Sequence, residues 1–246
     1  MPRRRILLAL APPCAAALAL LGARMIWAGD LRYGFLAWNL SLAVVPVAAA
    51  LGVQALSVRR GARVRVVALV AVWLLFLPNA PYVVTDAAHL TWAMGVPRWL
   101  DVLLFASFAW ASLLAGFLAL HLVHRLAEAR WGAVVAWTGA ASVVVASSAA
   151  IFVGRYAQWN SWDLVIRPHA VVDSFTWQPG TAFGVTAAYS TFLLGAYVAF
   201  RTLVGTAASA AGGRDVREVE LGVGPLPPAG GDVLEHGHGG FRRRDP

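Results

Sequence analysis

The sequence predicts an all-α fold: a polytopic bundle of about six transmembrane helices, with short interfacial helices in the outer loops. Three observations support this prediction. The chain of 246 residues is 59% hydrophobic and 13% charged, with a mean hydropathy of +0.66. Apolar runs long enough to cross about 30 Å of hydrocarbon, roughly 20 residues each, recur along it. A single cysteine, Cys14, excludes an intramolecular disulfide scaffold.

Six charge-poor runs are predicted to be spans. They cover residues 6–23, 33–56, 64–77, 102–123, 132–153 and 182–203. The first run follows three arginines, as in a signal peptide, but no A-x-A cleavage site precedes Arg24, so we expect a retained helix. The third run is short because Pro78 and Pro81 follow it, and proline ends or sharply bends a helix.

Arginine counting predicts the orientation, because positively charged loops stay in the cytoplasm. The chain has no lysine, and fifteen of its 20 arginines lie on the side of the N-terminus. The other five are Arg24, Arg32, Arg98, Arg155 and Arg167. We therefore expect a multi-pass protein of the bacterial cell membrane with both termini in the cytoplasm. Residues 1–204 form the predicted bundle, and the Gly- and Pro-rich residues 205–246 form a predicted disordered cytoplasmic tail.

The predicted spans carry hydroxyl and small side chains but no ionisable residue near their centres. Such residues are typical of close helix packing, whereas an ion-coupled transporter usually places an ionisable group in the membrane. His121 and His124, near the inner end of the fourth run, are interpreted as snorkelling side chains. The net charge of +8 lies mostly in juxtamembrane arginines, which favours membrane lipid as a partner and does not indicate nucleic acid.

The first long outer loop, residues 77–90, combines proline with polar groups. We expect Thr85 to be the N-cap of a short helix that ends near Gly95, which would place Asp86 and His89 one turn apart on a common face. A carboxylate in this position can orient an imidazole for general-base catalysis or metal binding. The alternative is an acidic first-turn residue beside an ordinary interfacial histidine.

The second long outer loop, residues 154–169, is expected to be an amphipathic interfacial segment if it is helical as far as Arg167. Its polar stripe would contain Tyr156, Asn160, Asp163 and Arg167. Arg155 or Arg167 could hold an anionic group such as a lipid phosphate, with Asn160 and Asp163 orienting it. Anchoring by the loop's tryptophans is the alternative.

The two loops carry the segments FLPNAPYVVTDAAHL and, some 65 positions later, GRYAQWNSWDLV. In these segments the chain resembles the family catalogued as domain of unknown function 1361, over about residues 31–203. The resemblance implies a multi-pass bacterial membrane protein and no established activity, so it assigns no catalytic residue.

Our leading hypothesis is that the two outer loops form a polar cap that binds an anionic or lipid-linked ligand. The candidate residues are Asn79, Tyr82, Asp86, His89, Arg155, Asn160, Asp163 and Arg167. Three alternatives remain: an Asp/His acid-base or metal enzyme, a small-solute transporter, and a scaffold for another membrane protein. No Walker loop, G-x-G-x-x-G, H-E-x-x-H or G-x-S-x-G occurs, and the sequence defines neither a cofactor nor a metal site.

Overall fold

The computed structural model describes residues 3–91, 95–159 and 163–220. Within these ranges the chain forms α-helices and one 3₁₀ turn, Asp86–His89, without a β-strand. The helices are α1 (Arg3–Ala28), α2 (Phe35–Ser57), α3 (Arg63–Phe76), α4 (Asn79–Thr85), α5 (Arg98–Trp131), α6 (Ala133–Arg155), α7 (Asp163–Ile166), α8 (Pro168–Trp177) and α9 (Pro179–Glu220). The all-α prediction is confirmed.

Six helical stretches of the described residues are long and apolar enough to cross a membrane. They are Leu8–Ala28, Phe35–Ser57, Arg63–His89, Arg98–Trp131, Ala133–Arg155 and Pro179–Ala207. Large apolar side chains such as Trp38, Trp110 and Phe183 are exposed on their outer faces, as lipid contact requires. The chain is therefore an integral, multi-pass membrane protein, and the prediction of six spans is confirmed.

The central helix is α5, which packs against α1, α2, α4 and α6. Its 34 residues extend about 50 Å, well beyond the hydrocarbon thickness of about 30 Å. Leu104 and Phe108 are fully buried on it. Asp101 and His121, two of its buried polar residues, are separated by 20 positions (101 to 121), or about 30 Å of helix. This separation is close to the thickness of the hydrocarbon core of a bilayer.

Small residues allow the helices to approach closely around α4. A Cβ atom placed on Gly116 of α5 would lie 2.7 Å from Cβ of Ala80, and one on Gly154 of α6 would lie 2.9 Å from the Tyr82 ring. The cavity beside this contact is small, with a volume of about 30 Å³. The middle of the bundle is thus tightly packed at this point.

The third span is longer than the sequence predicted. Leu77 and Pro78 keep right-handed helical torsions between α3 and α4, and the 3₁₀ turn continues the path to His89. As predicted, the third helix ends at the prolines: α3 stops at Phe76 and a separate helix, α4, begins at Asn79. Pro81 falls in the first turn of α4, where a missing N–H costs little. The span therefore includes most of the predicted first outer loop.

The second outer loop also differs from its prediction. The helix α6 ends at Arg155, and the chain folds back so that the Trp159 N–H donates to the Val153 carbonyl at 3.2 Å. Gln158 has a left-handed φ of 59° in this turn. The loop is therefore not one continuous helix as far as Arg167, and the polar stripe that such a helix would present does not form.

The chain divides into two units, one that ends at Arg201 and one that begins at Thr202. The helix α9 continues to Glu220, so helical structure occupies the start of the segment predicted as a disordered tail. This stretch is rich in alanine, which favours helix. Residues 221–246 lie outside the described residues.

Candidate functional site

The bundle has two polar ends, each named here after one residue. The Asp86 end contains the C-termini of α1 and α6, the N-termini of α2 and α5, and the 3₁₀ turn Asp86–His89. The His121 end is opposite and contains the C-terminal parts of α2 and α5. Most of the predicted cap residues that the structure describes lie at or near the Asp86 end.

Asp86 is buried rather than exposed in a loop, with 1% of its surface accessible. Its Oδ2 atom accepts a hydrogen bond from Nδ2 of Asn39 in α2 at 2.8 Å. Thr85 does not cap a new helix, because its hydroxyl donates to the Tyr82 carbonyl at 2.6 Å. The amide of Asn39 therefore compensates part of the cost of burying this carboxylate.

His89 contacts the second loop region directly. Its Nε2 atom lies 2.7 Å from Nη1 of Arg155, at the end of α6. A guanidinium only donates hydrogen bonds, so Nε2 is the acceptor and the neutral ring carries its proton on Nδ1. The ring also packs edge to face against Phe35 at 5.4 Å between centroids. This contact joins residues 66 positions apart in the sequence.

The two members of the predicted Asp86/His89 pair thus bind different partners. Asp86 bonds to Asn39 and His89 to Arg155, although both His89 and Arg155 lie close enough to Asp86 to interact with its charge. The arrangement does not orient His89 through Asp86, as an acid-base pair would require.

Other predicted cap residues make contacts of their own, two of them local and one between helices. Asn79 donates to the Phe76 carbonyl at 3.0 Å, and Tyr82 packs against Gly154. The backbone carbonyl of Asp163 accepts a hydrogen bond from the backbone of Arg167 at 2.7 Å, across the short helix α7. Asn160 lies outside the described residues.

The sequence analysis missed the strongest charged cluster at this end. Arg24 is completely buried, donates through Nε to Asp101 at 3.2 Å and also pairs with Asp30. Its guanidinium lies 4.5 Å from the centre of the Tyr33 ring. The available signal was the presence of opposite charges at the ends of apolar runs on one side of the membrane.

This cluster shifts the titration of its most accessible member. The backbone N–H of Arg32, which donates to Oδ1 at 3.1 Å, and the guanidinium of Arg24 hold the pKa of Asp30 below its ordinary value. Tyr33 extends the cluster by donating to the Thr91 carbonyl at 3.0 Å. The network ties α1 to α5 and to the segment after the 3₁₀ turn.

The described residues contain no group of three His, Cys, Asp or Glu side chains that could hold a metal ion. The site offers instead one half-buried guanidinium, one neutral imidazole and one buried carboxylate. Such a set favours binding of an anion through Arg155 over metal coordination.

No match to a curated protein or to a solved structure was found. A family model matches residues 38–200, about two thirds of the chain, including both loop segments that carry the resemblance. This match confirms that resemblance. The chain belongs to the family described as Protein of unknown function (DUF1361).

Proposed function

We propose that the Asp86 end binds the anionic group of a lipid or lipid-linked molecule through Arg155. The observation that supports this proposal is the contact between Arg155 and the neutral ring of His89. This hydrogen bond fixes the guanidinium and uses one of its five N–H donors. The acceptor, the His89 ring, carries no negative charge and so does not neutralise the guanidinium.

Arg155 differs in this respect from the paired arginines of the bundle. Arg24 contacts two carboxylates and Arg201 contacts Glu128. The described ion pairs do not include Arg155. A planar guanidinium with donors left over fits a phosphate or carboxylate in a bidentate geometry.

Asp86 has a positioning role in this proposal. Its carboxylate is bonded to Asn39, and it lies close enough to the Arg155 guanidinium to attract it electrostatically. The buried charge therefore keeps the guanidinium at this end without occupying its donors. An incoming anion meets Arg155, because Asp86 is shielded from solvent.

The orientation follows the arginine distribution. The His121 end and both termini carry fifteen of the 20 arginines and face the cytoplasm of the cell, so the Asp86 end faces outward. Phosphate headgroups of the outer leaflet are then the most abundant anions within reach of Arg155. Membrane lipid is accordingly the proposed partner.

Lipid binding by the full-length protein in detergent tests this proposal. Native mass spectrometry would compare dioctanoyl phosphatidylglycerol with dioctanoylglycerol, which has no phosphate. We expect the protein to bind phosphatidylglycerol more tightly, and Arg155→Gln to remove one tightly bound molecule. His89→Phe keeps the ring packing against Phe35 but loses the acceptor, and should weaken that binding severalfold.

Arg130→Gln is the matched control, because Arg130 is exposed near the other end of the bundle. It should bind phosphatidylglycerol like the wild type. If Arg155→Gln binds as many molecules as this control, with the same affinity, the proposed function is wrong.

A further inference from the structure

A second cavity, with a partly polar lining, lies at the His121 end between α2 and α5. Its volume is about 200 Å³, many times the 10 to 15 Å³ that one water molecule needs. It is lined by Gln54, His121, Leu122, Arg125, Leu126 and Ala129. The cavity is smaller than a typical drug-sized pocket and suits a compact polar group.

His121 lines this cavity with an unsatisfied ring. Its side chain is 5% exposed, and neither Nδ1 nor Nε2 has a hydrogen-bond partner among the described residues. A buried polar group without a partner destabilises the fold unless a ligand or water satisfies it. The neighbouring His124 is satisfied at Nδ1 by the Tyr197 hydroxyl at 3.0 Å. The expectation of snorkelling side chains was wrong, because α9 packs Tyr197 and Phe200 over both rings.

The electrostatic surroundings of His121 are positive. Arg201, Arg125 and His124 are the described residues whose charge acts on it. Glu128, the acidic group nearby, is already bonded to Arg201 at 2.9 Å. Arg125 is exposed on α5 and lines the cavity one turn beyond His121. The cavity therefore favours an anion.

The lining also contains neutral donors and apolar surface. Gln54 donates to the Leu122 carbonyl at 3.5 Å, which is long for a hydrogen bond and easily exchanged for a better acceptor. Leu122, Leu126 and Ala129 supply the carbon surface of the cavity. An imidazole N–H, a guanidinium and an amide together match the acceptor oxygens of a phosphate group.

We propose that this cavity is a binding site for a phosphate group, held by His121 and Arg125 with Gln54 as an additional donor. The phosphate belongs either to a phospholipid headgroup, whose chains would follow the apolar side of the cavity, or to free inorganic phosphate. This site is separate from the one proposed at the Asp86 end and does not depend on it.

Native mass spectrometry of the full-length protein in detergent tests the site with two probes, dioctanoyl phosphatidic acid and inorganic phosphate. The measurement is made in the Arg155→Gln background, so that the outcome is independent of the function proposed above. We expect Arg125→Gln to weaken binding by about tenfold or more, as loss of a charge-assisted hydrogen bond predicts. His121→Phe, which keeps the ring contact with Phe200, should weaken binding comparably.

Arg130→Gln removes the same charge from the same helix outside the cavity, and should bind like the parent protein. Phosphatidic acid binding that inorganic phosphate does not displace identifies the lipid as the ligand. Inorganic phosphate binding with the same sensitivity to Arg125→Gln identifies free phosphate.

The inference is overturned if neither probe binds, or if Arg125→Gln binds both probes like Arg130→Gln. Arg125 is exposed, so its replacement should preserve the fold even if His121→Phe does not. Equal thermal melting of the two arginine variants checks this.

Discussion

Replacing Arg24 with methionine is expected to destabilise the bundle by about 3 kcal/mol. The Nε atom of Arg24 lies 3.2 Å from Oδ1 of Asp101, and these side chains are 0% and 1% exposed. At an effective dielectric constant of about 20, this separation corresponds to about 5 kcal/mol of Coulomb attraction. Solvation of Asp101 after the replacement offsets part of this lost attraction. Removing one partner of a buried ion pair typically costs about 3 to 5 kcal/mol. Asp30 is 35% exposed, so water replaces its lost partner.

Unfolding by SDS in mixed micelles, followed by circular dichroism, measures this loss. Combining Arg24→Met with Asp101→Leu should recover most of it, because a buried ion pair replaced by apolar groups is often neutral in stability. The exposed Arg130 provides a control, and Arg130→Met should change the unfolding free energy by less than about 0.5 kcal/mol. The reasoning is refuted if Arg24→Met costs no more than this control, or if the double variant loses the sum of both single effects.

Two other predictions concern packing and acid stability. Gly116→Ala should cost about 1 to 3 kcal/mol in the same assay, because the new Cβ would lie 2.7 Å from Cβ of Ala80; Gly139→Ala, with open space around it, should be neutral or stabilising by up to about 1 kcal/mol. Equal effects would contradict the close contact of α4 with α5. The pKa of Asp30 is lowered in the folded protein from its ordinary value of 3.8. The charged carboxylate therefore stabilises the fold at pH values above 3.8. This stabilisation is lost as the pH falls below 3.8 and through the pKa of the folded state. Melting temperatures measured against pH should therefore fall less steeply on the acid side in Asp30→Asn than in the wild type; parallel curves would contradict the shift.

The spans could be predicted from sequence because hydrocarbon thickness fixes the length of apolar runs, and all six have counterparts in the structure. The ends of the spans could not be predicted in the same way. Pro78 and Pro81 predicted the end of α3, which stops at Phe76, but not that α4 and the 3₁₀ turn continue the span to His89. A proline removes one N–H donor, and whether the helix stops or bends depends on the packing around it, here the contact of Ala80 with Gly116.

The candidate site was only partly accessible to sequence reasoning. Membrane topology brings both outer loops to one side, so a contact between residues of the two loops was expected, and His89 lies 2.7 Å from Arg155. The bond of Asn39 to Asp86 depends on the register between α2 and the third span, which local spacing does not encode. The pairing of Arg24 with Asp101 likewise joins residues 77 positions apart.

His121 and His124 also show that sequence spacing does not determine which side chains are buried. Their spacing of three residues along α5 is compatible with either exposure or burial. The burial of His121 depends on Phe200 of α9, which packs against its ring at 5.9 Å between centroids. A hydropathy pattern does not reveal which helix covers which face.

Cysteine labelling tests most directly the claim that the Asp86 end faces away from the cytoplasm. In a Cys14→Ala background, Tyr156→Cys and Arg60→Cys place single thiols at exposed positions of the Asp86 end and of the opposite end. A membrane-impermeant maleimide added to intact cells should label Tyr156→Cys, and should label Arg60→Cys only after permeabilisation. Labelling of Arg60→Cys but not Tyr156→Cys in intact cells would contradict the account.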